Sequence, residues 1–289
     1  MVIVAIVQAR MGSTRLPGKV MMDLCGNPVL WHVVKRVSAS NRLNWVVVAT
    51  STTKEDNIIE NFCNRTNIMV FRGNPTNVLS RYYECAKYLI GKGHNIQYIV
   101  RITADCPLID PVIIDKVIQL AISEKLDFAS NVHPITYPDG LDVEVFTFEA
   151  LSEAYHNATL PSEKEHVTPY IIKNPRFKQG NVKNAVDISG YQNLRWTLDY
   201  DTDYHFIKLV YKYLYPHSYC GKCFQMEDVL RLMKEKPELL LINSHIPANE
   251  GYRNSLQEDE KFLRGKKEKP KNIEPVKEEP KEPIKKEKV

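Results

Sequence analysis

The stretch that decides the fold is "VIVAIVQARMGSTRLPGK", residues 2–19. Its first part is a continuous apolar run, which is typical of a strand buried on both faces of a sheet. Its second part is a loop of small and basic residues that contains Gly12, Pro17 and Gly18. Ligands of α/β sheets bind at the carboxyl ends of the strands, and small residues let backbone N–H groups approach an anion. The stretch therefore predicts an anion-binding loop at one edge of a parallel sheet.

Four further apolar runs follow this strand, and helical segments separate them. The runs are "WVVVATS" (45–51), "IMVF" (68–71), "YIVRIT" (98–103) and "LDFASN" (126–131). The segments between them place apolar residues at helical spacing, as in Leu30, Val33, Val34 and Val37. Strands without polar alternation are covered on both faces, so the pattern predicts an α/β fold with a mostly parallel sheet and helices on both faces.

The rhythm changes from about Tyr137 onward. "YPDGLDVEVF" (137–146) predicts a turn and an alternating strand, and the β-like runs "GNVKNAVDI" (180–188) and "LRWTL" (194–198) follow. We expect a small, partly antiparallel inserted subdomain at about 137–190, within one domain of residues 1–263. Lys, Glu and Pro dominate residues 264–289, and we expect this tail to be disordered because it cannot bury a core.

The composition excludes several classes of protein. Apolar residues make up 43% and charged residues 26% of the chain, as in ordinary globular proteins. No apolar run reaches the ~18 residues that span a bilayer, and the start of the chain lacks the basic region of a secretory signal. We therefore predict a cytoplasmic protein that is not inserted in a membrane.

The charge balance gives no support for a nucleic-acid partner. The net charge is +4, and residues 264–289 account for all of it. The remaining body of the chain is neutral, so its charge provides no argument for a nucleic-acid-binding face.

Six cysteines are present, and we expect them to be reduced. Cys220 and Cys223 alone have metal-ligand spacing, in "YCGKC". One such pair is a weak zinc signal, so two ordinary loop thiols and a metal site both stay open.

The loop after the first strand carries Arg10, Arg15 and Lys19, whose charges suit phosphates. It is not a P-loop, because five residues instead of four separate Gly12 from Gly18, and Val20 follows the lysine. The dinucleotide-binding GxGxxG pattern is absent from the sequence.

"ARMGSTRLPGK" (9–19) resembles the signature loop of the cytidylyltransferases that activate acidic sugars, the 3-deoxy-manno-octulosonate and acylneuraminate cytidylyltransferases. The wording of the loop is most similar to the branch named after spore-coat polysaccharide biosynthesis protein F. The resemblance covers residues 1 to about 262. Five further stretches fit that branch: "RITADCPLIDP" (101–111), "YPDGLDVEVF" (137–146), "EHVTPYI" (165–171), "RWTLD" (195–199) and "NEGYRNSL" (249–256).

The resemblance implies a Rossmann-like nucleotidyltransferase fold and a reaction. The family transfers CMP from CTP to a sugar-type acceptor, with Mg²⁺, and releases pyrophosphate. The expected role is surface-polysaccharide or glycoconjugate biosynthesis. Related enzymes are commonly dimers, so a homodimer is compatible with the resemblance. The sequence leaves open the acceptor, the choice of CTP over other nucleotides and the oligomeric state.

The resemblance also places residues around the nucleotide. Ala9 and Arg10 would meet the base, and four residues would hold the triphosphate: Gly12, Ser13, Arg15 and Lys19. Arg15 and Lys19 would also stabilise the leaving pyrophosphate. Arg81 and Arg101 lie among apolar residues and need partners. We assign them to the nucleotide, with an internal salt bridge as the alternative. Where the branch usually carries an acid, this chain has Asn77.

Phosphoryl transfer needs cations on the oxygens that gain charge, and Mg²⁺ prefers one or two carboxylates plus phosphate oxygens and water. Asp105 follows the strand "YIVRIT" and so emerges at the same sheet edge as the opening loop. By resemblance it is the main metal ligand and a catalytic residue, and Asp199 is the second ligand. Asp201 and Asp203 are alternative candidates for this second ligand.

The acceptor side is expected in the second half of the chain. Acidic side chains bind hydroxyls or amines well and a carboxylate poorly. His166 is either a base for the attacking hydroxyl or a structural residue. The acceptor candidates are Tyr137, Asp139, Asp142, Glu144, Glu165 and His166.

Two other readings of the sequence are a glycosyltransferase and a nucleotide-binding scaffold. A glycosyltransferase of related fold predicts a DxD metal motif after the fourth strand, where this chain has Asp105-Cys106-Pro107. A non-catalytic scaffold predicts a degraded loop or a missing carboxylate. This sequence has an intact loop and the carboxylate of Asp105. The cytidylyltransferase is therefore the leading hypothesis.

Overall fold

The computed structural model describes residues 1–188, 194–217, 223–247 and 250–267. The strands are β1 (Val2–Gln8), β2 (Asp23–Leu24), β3 (Asn27–Pro28), β4 (Trp45–Ser51), β5 (Met69–Gly73), β6 (Ile96–Thr103), β7 (Phe128–Ser130), β8 (Glu144–Thr147) and β9 (Gln179–Asn181). The helices are α1 (Val29–Ser38), α2 (Asn57–Arg65), α3 (Val78–Gly91), α4 (Pro111–Ser123), α5 (Phe148–Asn157), α6 (Pro161–His166), α7 (Pro169–Lys173), α8 (Asp201–Leu214), α9 (Met226–Glu235) and α10 (Glu250–Lys267).

Seven strands form the central sheet, in the order β5-β4-β1-β6-β8-β7-β9. Four of the five runs predicted from apolar continuity, now β1, β4, β5 and β6, pair in parallel. The fifth run, "LDFASN", forms β7, which pairs antiparallel with β8 and parallel with β9. The predicted α/β class is therefore confirmed. A separate two-stranded antiparallel sheet, β2 with β3, follows the opening loop.

The antiparallel character predicted after Tyr137 lies inside the central sheet. β8 pairs antiparallel with both β6 and β7. Val145 packs into the core on one face of the sheet and Phe146 into the core on the other. Because Val145 and Phe146 are covered on opposite faces, β8 is buried on both sides within the central sheet.

Two hydrophobic cores lie on opposite faces of the sheet. One core is formed by α1, α2, α4, α8 and α9 against residues such as Ala5 and Val7 of β1. The other is formed by α3, α5 and α7 against the alternate residues Val4 and Ile6. β1 is thus buried on both faces, as its unbroken apolar sequence predicted.

The order of the strands fixes the location of the site. The chain runs from β1 through β4 to β5 on one side, and then returns to place β6 on the other side of β1. Such a reversal leaves a crevice at the carboxyl ends of the two strands that flank it. Gln8 at the end of β1 is in register with Thr103 at the end of β6. The opening loop and the Asp105 loop therefore leave the sheet side by side.

The last helix extends beyond the predicted domain boundary at 263. α10 continues to Lys267, because its Lys, Glu and Arg residues are good helix formers and include an i,i+4 pair of Glu260 with Arg264. Most of the predicted tail (268–289) and Cys220 of the "YCGKC" pair lie outside the described residues. In the described part of the chain, no helix combines the length and the apolar character that crossing a membrane requires.

Candidate active site

The opening loop after β1 folds into a tight arch. The carbonyl of Met11 accepts hydrogen bonds from the N–H groups of Ser13 (2.9 Å) and Gly18 (3.0 Å). Gly18 has φ of 72°, in the left-handed region that glycine adopts without a Cβ penalty. The N–H of Met11 donates to Asp56 Oδ1 at 2.7 Å, which anchors the arch beside β4. Local sequence thus sets the loop, and one buried carboxylate fixes its position.

Lys19 is the centre of the site. Its ammonium lies 2.6 Å from Asp105 Oδ2 and 2.8 Å from Asp199 Oδ1, and only 9% of its side chain is exposed. Burial lowers the pKa of Lys19, but the two carboxylates raise it by more, so the lysine stays charged. Burial of Asp105 raises the pKa of its carboxyl group. The charge and hydrogen bond of Lys19 lower that pKa by more and hold it at about 2.

Arg15 supplies the second cation of the arch. Its guanidinium lies 2.8 Å from Asp199 Oδ1 and stacks over the ring of Tyr200, 5.2 Å from the ring centroid. About a quarter of the side chain, 28%, is exposed. Arg15 therefore reaches Asp199 while part of its side chain faces solvent, where a ligand can approach.

Backbone pairing brings Asp199 beside Asp105. The N–H of Leu198 donates to the carbonyl of Asp105 at 2.8 Å. Further back, Trp196 N–H donates to the carbonyl of Asp139 at 2.6 Å, and Asp139 N–H donates to the carbonyl of Leu194 at 3.0 Å. The "RWTLD" segment is thus held between the "YPDG" turn and the Asp105 loop.

Two other candidates at this segment have structural positions. Asp203 is fully buried and accepts from the backbone N–H groups of Asp199 and Tyr200. Asp201 is exposed at the first turn of α8. Arg195, which the sequence analysis did not single out, pairs with Asp199 at 2.7 Å. The "RWTLD" stretch, already quoted for its aspartate, was the signal that could have identified this arginine.

The oxygens of Asp105 and Asp199 form a donor set that fits Mg²⁺. Two carboxylate oxygens, one from Asp105 and one from Asp199, converge on a single cationic atom, Lys19 Nζ. Two carboxylates completed by phosphate oxygens and water are the ligands that Mg²⁺ prefers. Among the described residues, no cluster of three or more Asp, Glu, His and Cys side chains forms a complete cage. The residues present therefore suit a metal that takes its remaining ligands from bound phosphate groups and water.

The remaining loop candidates lie around this centre. Ala9 is buried, and its N–H donates to the carbonyl of Ala49 at 3.1 Å. Arg10 is exposed. A Cβ at Gly12 would meet no atom within 4 Å, so this position is open to a ligand. Ser13 Oγ accepts from the N–H of Leu16 at 3.3 Å.

Arg81 and Arg101 both have internal partners, and for Arg101 the partner is the internal salt bridge that was the alternative in the sequence analysis. Arg81 is 1% exposed and donates to the carbonyls of Asn74 and Pro75. Arg101 lies 2.6 Å from Glu144 Oε2 across the β6–β8 pairing. Because buried guanidinium groups require such partners, both arginines stabilise the scaffold, and we do not carry them into the proposed nucleotide site. Asn77 caps α3 by accepting from Ser80 N–H.

Part of the acceptor set forms a second cluster around α6. Glu144 is buried and accepts from Thr168 Oγ1 at 2.7 Å. His166 Nε2 lies 2.8 Å from Ser255 Oγ, which also donates to Glu165 at 3.0 Å. Burial and then Arg101 lower the pKa of His166, although Glu165 and Glu144 oppose them. Ser255 comes from α10, so the "NEGYRNSL" stretch contributes to this side of the molecule.

The other acceptor candidates lie in three different environments. Tyr137 is buried and its hydroxyl donates to the carbonyl of Lys183 at 3.4 Å. Asp139 pairs with Arg195 at 3.4 Å. Asp142 is half-buried, and burial together with Asp139 and Glu144 raises its pKa to about 7, although Arg101 opposes the shift. The surroundings of Asp142 therefore favour its protonated form.

A basic loop that faces two carboxylates at the switch point of a parallel sheet has the cations and the carboxylates that nucleotidyl transfer requires. A sequence model described as cytidylyltransferase matches residues 4–236. The chain belongs to this family, and the resemblance of its opening loop is confirmed.

Relatives and solved structures support the assignment. Spore coat polysaccharide biosynthesis protein SpsF of Bacillus subtilis is 33% identical over 216 residues, which are 73% of this chain and 86% of that protein. A cytidylyltransferase from Leptospira borgpetersenii serovar Hardjo-bovis covers 83% of this chain and 97% of its own, with TM-score 0.74 and 33% identity. The CMP:2-keto-3-deoxy-manno-octonic acid synthetase, solved with CTP, covers 73% of this chain and 99% of its own, with TM-score 0.53 and 16% identity. This last likeness shows the fold alone.

Proposed function

We propose that this enzyme transfers CMP from CTP to a sugar-type acceptor and releases pyrophosphate, in surface-polysaccharide or glycoconjugate biosynthesis. The observation that carries the proposal is the convergence of Lys19 and Arg15 of the loop on Asp105 and Asp199. Family membership and the likeness to SpsF support the choice of reaction and of biological role.

In this proposal the arch between Ala9 and Lys19 holds the nucleotide. The base lies toward Ala9 and Arg10, and the triphosphate lies along Gly12 and the cationic side chains. Arg15 and Lys19 donate to the phosphate oxygens and stabilise the charge that develops on the leaving pyrophosphate. The space at Gly12 and the partial exposure of Arg15 support this arrangement.

Asp105 and Asp199 would hold Mg²⁺ together with the triphosphate. When bound, the metal supplies Lewis-acid stabilisation of the phosphoryl oxygens during in-line displacement. The protein contributes the orientation of the two carboxylates, since their oxygens already converge on one cation. In this proposal Lys19 exchanges at least one of its two carboxylate contacts for a phosphate oxygen, which links nucleotide binding to the release of a carboxylate.

The acceptor is proposed to lie beside Asp142 and the α6 cluster. An acceptor hydroxyl forms the new bond to the α-phosphorus while the bond to pyrophosphate breaks, and the hydroxyl proton passes to a base. The raised pKa of Asp142 supports its role as that base. The excess of acidic over basic side chains here supports an acceptor that presents hydroxyl or amine groups.

A pyrophosphate-release screen tests the proposal. Each of the four nucleoside triphosphates is offered with Mg²⁺ and a panel of neutral, amino, acidic and phosphorylated sugars. We expect release with CTP and at least one acceptor, and recovery of a CMP-linked product by mass spectrometry. Release with another nucleotide in preference to CTP would contradict the nucleotide assignment, and a product without CMP would contradict the reaction.

A further inference from the structure

We propose that Arg195 is a positioning residue that turns Asp199 so that one carboxylate oxygen faces the opening loop. The inference rests on the proposed function, in which Asp199 helps to hold the metal. Arg195 does not touch substrate, because only 1% of its side chain is exposed. It acts through the carboxylate that it orients.

The contacts of Arg195 divide the two oxygens of Asp199 between two surroundings. Nη2 of Arg195 donates to Asp199 Oδ2 at 2.7 Å. The other oxygen, Oδ1, receives Lys19 at 2.8 Å and Arg15 at 2.8 Å. One oxygen therefore faces the buried guanidinium, and the other faces the loop and Asp105. Without the contact to Arg195, the carboxylate could rotate more easily about its terminal torsion, because the energy minima of that torsion are broad.

Arg195 is itself fixed by a second carboxylate. Its Nε and Nη2 donate to Asp203 at 3.1 Å and 3.2 Å. Asp203 is held in turn by Asn243 Nδ2 at 2.9 Å and by backbone N–H groups at the start of α8. A buried guanidinium with a bidentate partner loses little freedom and keeps its geometry. A rigid buried network therefore fixes one oxygen of Asp199, while Lys19 and Arg15 of the loop bind the other oxygen.

The same arginine reaches the "YPDG" turn on the acceptor side. Nη1 of Arg195 lies 3.4 Å from Asp139 Oδ2 and 3.4 Å from the carbonyl of Pro247. One side chain thus contacts both the carboxylate proposed for the metal and the turn that leads to Asp142. Residues that orient metal ligands typically change metal affinity or activity by about 10- to 100-fold when they are altered.

The test compares Arg195→Lys with Arg36→Lys. Arg36 is also a buried arginine, 4% exposed, and it donates to the carbonyls of Leu108, Ile109 and Phe224. Both variants keep the positive charge and lose the fork of donors. Asp199→Asn serves as the reference for loss of the ligand itself. For each protein we would measure Mn²⁺ binding by electron paramagnetic resonance with a non-hydrolysable CTP analogue, kcat, KM for CTP and the melting temperature.

We expect Arg195→Lys to weaken Mn²⁺ binding and to lower kcat by about 10-fold or more, with KM for CTP changed less than about threefold. Arg36→Lys should lower the melting temperature without changing Mn²⁺ binding. The inference is overturned if Arg195→Lys binds Mn²⁺ as the parent does while Asp199→Asn does not. If Asp199→Asn also binds Mn²⁺ normally, the proposed metal role fails first and the inference fails with it. If Arg195→Lys does not fold, Arg195→Gln rescued by guanidinium ion in the binding assay replaces it, and absence of rescue contradicts the proposal.

Discussion

Lys19 Nζ lies 2.6 Å from Asp105 Oδ2, so a cation of the loop after β1 is paired with the carboxylate that follows β6. The same atom lies 2.8 Å from Asp199 Oδ1. A lysine between two carboxylates is stabilising in the free protein, because it offsets the repulsion of two partly buried anions. It also occupies the position in which those carboxylates would bind a metal, and this relationship leads to the first prediction.

Lys19→Met should strengthen Mn²⁺ binding to the nucleotide-free protein by about 10-fold or more, which is about 1.4 kcal/mol. The reason is that the variant removes a cation that competes for Asp105 and Asp199. Turnover should fall strongly, because the same lysine is proposed to hold the triphosphate. Lys35→Met, at an exposed position of α1, is the matched control. Weaker Mn²⁺ binding by Lys19→Met would contradict the prediction.

Asp105→Asn should reduce the rate by at least ~100-fold, on the scale of lost electrostatic stabilisation. The substitution keeps the size of the side chain and removes the charge that Lys19 compensates. Asp199→Asn should act in the same direction. Asp127→Asn, a carboxylate that accepts from Lys178 N–H at the far edge of the sheet, should leave the rate unchanged. Steady-state kinetics across a Mg²⁺ series would decide, and near-normal turnover of Asp105→Asn would place the metal elsewhere.

Gly140→Ala should destabilise the fold and disturb the site. Gly140 has φ of 103°, and a Cβ there would lie 2.5 Å from the backbone carbon of Trp196. The contact is with backbone that pairs with Asp139, so it cannot relax easily. We expect a loss of roughly 2–4 kcal/mol and a drop of about 5–10 °C in melting temperature. Gly91→Ala, where a Cβ meets no atom within 4 Å, is the control and should not be destabilising.

Asp142→Asn should make stability less sensitive to pH. The folded chain raises the pKa of Asp142 to about 7, above the value of about 3.9 in an unfolded chain. The folded state therefore binds the proton more tightly, and the parent loses stability as pH rises from about 4 through about 7. The Asn variant cannot ionise, so its advantage in melting temperature should be larger at about pH 8 than at about pH 5. An advantage that is constant or shrinks with rising pH would contradict this.

Truncation after Lys267 should leave kcat and the melting temperature unchanged, because the segment removed is dominated by Lys, Glu and Pro. Truncation after Pro247 should reduce both. That variant loses α10, whose Asp259 accepts from Ser162 N–H at 2.9 Å and from Ser162 Oγ at 2.5 Å. Thermal melting and steady-state assays of the two truncations provide the comparison. A large loss of rate on removing 268–289 alone would show that the tail takes part in catalysis.

The sequence by itself predicted the elements whose causes are local. Continuous apolar residues predicted β1, β4, β5 and β6, and glycines among basic residues predicted the arch that follows β1. Asp105 was placed at the correct edge because all parallel strands end on the same side of a sheet. The family followed from the wording of the loop.

Only the tertiary structure decided which charges meet. Lys19 is separated from Asp105 by 86 residues and from Asp199 by 180, and no local pattern encodes such pairs. For Arg101 the sequence left the nucleotide and an internal salt bridge open, and the antiparallel placement of β8 puts Glu144 opposite it. Arg195 was overlooked because, besides Asp199 and Asp203 nearby in sequence, its partners Asp139 and Pro247 come from distant segments. Apolar periodicity is local and can be read along the chain, whereas the neutralisation of a buried charge depends on whichever distant group folding brings near it.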